Sequence, residues 1–197
     1  MESGIMAKEG KSGVSANTPK NILFGAGTIH RGLKYEGAAW NFADSLVGAT
    51  SGGSKFSIKP EITKVEVDGV HVATKGLNKK TGGEATMEIN FIELTKDIIK
   101  ASTLGTDGTA TDTTYDLIED KADIAAGDYW ENIAFVGKTL DGDDIIAIMD
   151  NALCTSGMEA DNKDKTGTVG TYTFECNAEL GSDGDTLPWH IYYPKAS

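Results

Sequence analysis

The chain is poor in the residues that carry most protein chemistry. It has three histidines, His30, His71 and His190, each at least 40 residues from the next. No His-Glu-x-x-His or Cys-x-x-Cys spacing occurs, so no zinc site is expected. The two cysteines, Cys154 and Cys176, read more simply as buried thiols of a reducing compartment than as a disulfide. There are only four prolines, which excludes a collagen or a proline-rich linker. No stretch of 18 apolar residues is present, so no membrane-spanning helix is expected. The opening MESGIMAKEG lacks the apolar run of a signal peptide.

Basic residues are scarce as well. Lys and Arg number 18 against 30 Asp and Glu, for a formal net charge of -12. That sign repels phosphates and speaks against ordinary DNA or RNA binding. The deficit lies in one half. Residues 1–100 carry 13 bases and 11 acids, whereas residues 101–197 carry 5 and 19. The two halves present different fields, which suits pairing with a neighbouring copy or a surface that must not hold DNA.

Catalytic signatures are missing too. Neither a Gly-x-x-x-x-Gly-Lys phosphate loop nor a Gly-x-Ser-x-Gly elbow occurs, and Gly25-Ala26-Gly27 lacks the third glycine of a dinucleotide fingerprint. The acids at Asp141, Asp143 and Asp144 and at Asp183 and Asp185 lack the further ligands of a calcium loop. Asp-Gly is also good turn chemistry. Nothing singles out a carboxylate pair among 30 acids. No enzyme activity, cofactor or metal is expected.

What is abundant is glycine, at 24 residues, which with so little proline points to tight turns between strands. Residues 1–20 are polar and aperiodic. They read either as a solvated tail or as an arm that orders on a neighbour. Residues 21–35 read as a strand, a glycine kink and a second strand. Residues 36–53 form an extended loop ending in a glycine-rich run. Its Trp40, Phe42, Leu46 and Val47 follow no clean period. Together with Gly52 and Phe56 they are the candidate assembly-interface residues, although such aromatics equally fold back onto a core. Around Asp68-Gly69, Val65 and Val67 on one side and Val70 and Val72 on the other predict a hairpin within 54–75. Residues 76–83 read as a basic loop. Residues 84–92 alternate, with Met87, Ile89 and Phe91 on one face.

Residues 94–101 change period. Leu94, Ile98 and Ala101 share a helical face, Thr95 is a candidate cap, and Asp97 falls in the first turn. Residues 103–114 read as a loop and 115–120 as a helical turn. Residues 129–136 are apolar on both faces, as in a central strand. Residues 140–144 make a turn into a short strand at 145–149. Residues 157–168 form a loop, and Tyr172, Phe174 and Cys176 alternate in a further strand. PWHIYYP (188–194) docks on the body. The expected fold is mainly β, a sandwich or barrel with one flanking α-helix, as a single domain over 21–197.

The order of these features resembles the major tail protein family of long-tailed phages, the tail tube subunits. The likeness is carried by NTPKNILFGAGTIHRG (17–32), LVGATSGGSKFSIKPEITKVEVDGV (46–70), EATMEINFIELTKDIIKAS (84–102), DYWENIAFVGKTLDGDDIIAIMDNAL (128–153), GTYTFECNAEL (170–180) and PWHIYYP (188–194). The resemblance implies a structural subunit of the virion tail, made in the bacterial host cytoplasm. Hexameric rings would stack into a hollow tube, joined by hairpins that line its lumen. DNA would pass without specific binding, and the partners would be other copies and other tail proteins. Strands within 28–35 and 54–67 would be lumen candidates, the loop 36–53 and the arm would reach neighbours, and the helix would pack outside the inner wall. Rival readings are a subunit of a phage-like bacteriocin or secretion tube, a baseplate hub or a tail terminator. A β-sandwich glycan-binding module is more distant.

Overall fold

The structure is a computed structural model describing residues 13–195 apart from 161, 163, 165 and 166. Most of the predicted arm, residues 1–12, lies outside the described residues. The fold is mainly β. One large antiparallel sheet has the order β1 (Leu23–His30), β8 (Trp130–Thr139), β9 (Asp144–Cys154), β10 (Gly170–Cys176), β5 (Asn78–Phe91) and β4 (Thr50–Lys64). β11 (Trp189–Tyr192) pairs with β9. Two small ribbons complete the strands, β2 (Tyr35–Glu36) with β3 (Ala39–Trp40), and β6 (Thr106–Gly108) with β7 (Leu117–Glu119).

Alternation explains the inner staves. Ala85, Met87, Ile89 and Phe91 of β5 and Tyr172, Phe174 and Cys176 of β10 point into one core, as a half-buried strand requires. The central pair β8–β9 is buried on both sides. Ile133 and Met149 join that first core, while Ala134, Val136, Ile146 and Ile148 build a second core on the opposite face. Along its other edge, β9 pairs with β10 only at Ala152–Cys154 and with β11 at Ile146–Met149. β10, β5 and β4 thereby turn away from the β9 plane and wrap the first core.

The sheet curls far enough for its ends to meet. The Arg31 N–H donates to the Ser45 carbonyl at 2.8 Å and the Val47 N–H to the Ile29 carbonyl at 3.0 Å. These bonds tie the segment entering β4 to β1. Both strands then bulge, β1 between Phe24 and Thr28 and β4 between Thr50 and Ser54. No further ladder joins them among the described residues. Gly27 belongs to the β1 bulge at φ 69°, and a Cβ there would lie 2.8 Å from the Val136 carbonyl, so the close approach to β8 requires glycine.

α3 (Lys96–Thr103) seats Ile98 and Ala101 in the first core. The Thr95 hydroxyl accepts from the Ile98 N–H at 3.3 Å, and Asp97 lies in the first turn, as predicted. The helix ends with Leu104 in the left-handed region, φ 52°, and with the Gly105 N–H on the Lys100 carbonyl.

Several expectations are corrected. α3 starts two residues later than predicted, so Leu94 lies outside it and is exposed. Two one-turn helices, α1 (Thr18–Asn21) and α2 (Phe42–Ser45), accompany the expected one. Residues 115–120 supply β7, not a helical turn, because the chain pairs with β6 across Asp107↔Ile118. β9 runs to Cys154, beyond the predicted 145–149. The predicted basic loop 76–83 belongs largely to β5, whose Lys79 and Lys80 pair with Thr63 and Ile62.

Phe174 is 1% exposed and its ring lies 4.8 Å from that of Trp130. Phe174→Ala is expected to destabilise the fold by about 3–5 kcal/mol, and Ile62→Ala, at a position 61% exposed, by less than about 0.5 kcal/mol. Urea unfolding followed by circular dichroism checks both.

Candidate assembly interface

The six residues singled out in the sequence do not form one patch. Trp40 and Phe42 pack on the second core, with ring centroids 6.5 Å apart, and Tyr192 meets Trp40 edge-on at 4.8 Å. Val47 and Phe56 pack against the first core. Gly52, at φ 87°, sits in the β4 bulge. Leu46, bridged to His30, stands half exposed. The segment 36–53 is therefore not a projecting loop. It crosses the second core as β2, β3 and α2, then closes the curl at Ser45–Val47. Aromatic side chains without a period found their own core, because the outer face of β8–β9 is apolar and needs covering.

The segment that does project is the β4–β5 hairpin. Its strands pair from Thr50↔Phe91 to Lys64↔Asn78. At the root, Phe56, Ile58, Ala85 and Met87 contribute to the first core. From Lys59 to Lys64 every β4 residue is exposed, and from Asn78 to Glu84 only Gly82 is partly covered. β10 borders β5 only from Thr86 to Phe91. Beyond that point, among the described residues, the ribbon has two free edges and two wet faces, and at about 3.3 Å per residue it reaches roughly 20 Å from the body before its terminal loop.

Local chemistry holds the ribbon. Lys59 and Glu84 face each other as an ion pair at 2.7 Å, and the Thr63 and Thr81 hydroxyls meet at 2.9 Å. The register shifts between Glu61 and Ile62. Next to that bulge, a Cβ on Gly83 would lie 2.9 Å from the Lys59 carbonyl, so the strands approach closely only with glycine there. The predicted hairpin turn does form at Asp68-Gly69, with the Val70 N–H on the Val67 carbonyl at 3.0 Å and Gly69 at φ 81°. The flanking valines, however, are not in strands. β4 ends at Lys64 and β5 begins at Asn78, so residues 65–77 form a terminal loop exposing Val65, Val67, Val70 and Val72. Lys64, Lys75, Lys79 and Lys80 lie exposed around it.

Several polar groups elsewhere have structural roles. His30 is buried at the seam of the curl. Its Nδ1 meets the Ser45 hydroxyl and its Nε2 the Thr28 hydroxyl, both at 2.9 Å. Ser45 donates its own proton to the Asn41 carbonyl at 2.8 Å, so His30 Nδ1 carries a proton and Nε2 accepts from Thr28. A carboxylate does not complete this pair into a triad: the imidazole's remaining nitrogen is spent on Thr28. Asp183 accepts from the Asp185 N–H at 3.1 Å and from the Thr186 hydroxyl, which is turn chemistry. Cys154 and Cys176 are free and buried. Burial, with Asp150 adding to it, pushes the Cys176 thiol up to about 12, and burial raises Cys154 despite its contact with Ser156.

No family model matches the chain, and no curated protein matches it. The functional reading rests on the residues and the geometry above.

Burial holds the His30 imidazole below its ordinary 6.5, partly opposed by the Phe42 carbonyl. The unfolded chain therefore binds a proton that the folded chain resists. The stability this group supports is complete above pH 6.5 and is lost as the pH falls through its lowered folded value. Denaturation midpoints measured from pH 8 down to pH 5 are expected to show this decline, and His30→Gln to flatten it.

Proposed function

We propose that this chain is a self-assembling structural subunit of a hollow tube of the phage tail type, in which copies close a ring and rings stack around a channel. The observation that supports this best is the β4–β5 hairpin, exposed on both faces and open at both edges. A two-stranded ribbon is marginally stable in water, and free strand edges invite pairing with another chain. Edge-to-edge addition of such hairpins supplies backbone hydrogen bonds between copies. A cyclic arrangement leaves no edge over, and stacking of rings extends it axially.

The charge fits the same reading. The net charge of -12 disfavours the holding of phosphates, as a channel that passes DNA requires. The order of strands, turn and helix that resembles the phage tail tube family adds to it. A phage-like bacteriocin tube, a secretion tube and a tail terminator share this logic of assembly. A glycan-binding module is favoured less, because Trp40 is engaged by Phe42 and Tyr192 of its own chain.

Negative-stain electron microscopy of the purified chain over a concentration series is expected to show stacked rings with an open channel. A variant in which Asn-Gly replaces residues 62–81, joining Glu61 to the Gly82 it already faces, is expected to remain folded and monomeric by circular dichroism and sedimentation. Wild-type tubes formed by that variant would remove the hairpin from the interface. A wild-type chain that stays monomeric and binds a saccharide would support the glycan module instead.

A further inference from the structure

Besides the hairpin, the body carries an open groove. A groove of about 650 Å³ lies between the ends of β8 and β9 and the turn after β10, with Ala126, Tyr129 and Leu180 among its apolar residues and Glu131 and Glu179 beside them. Leu180 is fully exposed there. The groove continues into a hollow of about 550 Å³ that shares Glu131 and Glu179 and adds Asp150. Among the described residues, no lysine or arginine lines either space.

The hairpin tip has the complementary pattern. Its exposed valines are surrounded by Lys64, Lys75, Lys79 and Lys80, which outnumber the tip acids Glu66 and Asp68. None of the four lysines is in an ion pair among the described residues. We infer that this groove receives the hairpin tip of a second copy, valines against Tyr129 and Leu180, lysines against Glu131, Glu179 and Asp150.

The fold argues for a second copy as the occupant. The groove and the hairpin leave the same end of the sheet. Glu175 pairs with Thr86 where the hairpin departs, and two residues later the Asn177 N–H binds the Asn151 carbonyl at the groove. The ribbon carries its tip roughly 20 Å beyond that end, out of reach of its own groove. A neighbour displaced along the direction of the ribbon brings its groove to the tip instead. The contact joins two different surfaces of one chain, so it is heterologous and propagates around a ring. Apolar contact at the centre with charges at the rim is the ordinary anatomy of such an interface. The inference rests on the self-assembly reading and specifies one contact within it.

The test is a charge exchange read by sedimentation. Lys79→Glu with Lys80→Glu, or Glu131→Lys with Glu179→Lys, is expected to raise the concentration needed for assembly about tenfold or more through like-charge contact. All four changes in one chain are expected to restore it. A second measurement mixes Val70→Cys chains with Leu180→Cys chains under mild oxidation, and cross-linked pairs are expected between the two variants. Both positions are exposed, so folding is preserved. Wild-type assembly by each reversal variant, or no recovery in the fourfold variant, would overturn the tip–groove contact while leaving tube formation standing. A wild-type chain that never assembles, together with no cross-link, would overturn both.

Discussion

Everything else in this architecture depends on the central β8–β9 pair being apolar on both faces. A strand pair of that kind cannot border water on either side, so it needs two covers. One cover is the curl of β10, β5 and β4 with the inserted α3. The other is the Leu33–Ser45 segment, which lays Trp40 and Phe42 on the second core. That segment has to bring the chain back to the β1 edge. There Ser45 and Val47 pair with Arg31 and Ile29, and their position sets where β4 starts and in which direction the hairpin leaves.

The hairpin joins two energetic regimes in one ladder. Its root is stabilised by burial with Met87, Ile89 and Phe91, each at most 2% exposed. Its outer part has only cross-strand polar contacts, such as Lys59 with Glu84 and Thr63 with Thr81, and solvent-exposed pairs of this kind contribute little. A ribbon with so little of its own stabilisation is suited to gaining it from a neighbour. The charge asymmetry of the chain follows the same division. The hairpin belongs to the balanced half and the groove with Glu131, Asp150 and Glu179 to the acidic half, so unlike surfaces of two copies attract and like surfaces repel.

Part of this was legible in the sequence. The alternation at 84–92 and 171–176, the two-sided strand at 129–136, the Asp68-Gly69 turn and the Thr95 cap are all patterns legible within a window of a few residues, and all are found. The errors fall where a local pattern was overruled from a distance. Val65, Val67, Val70 and Val72 alternate like strand residues, yet among the described residues no partner strand lies beside them to bury a face, so they remain in a loop. Lys79 and Lys80 look like loop residues, yet β4 pairs with them because the ladder continues outward from its buried root. Trp40 and Phe42 looked available to another chain, and the uncovered face of β8–β9 claimed them. The groove at Leu180 had no signal at all, since its walls come from segments about 50 residues apart.

By itself, then, the sequence determined the elements whose pattern is local: a mainly β chain, its Asp-Gly turn and its capped helix. It also determined the acidic second half, because charge is a property of composition. Only the tertiary structure decided which apolar residues are core, how far the hairpin extends beyond it, and which acids gather at one groove. Those outcomes depend on pairings between distant segments, whose loop-closure cost and burial gain no local window contains.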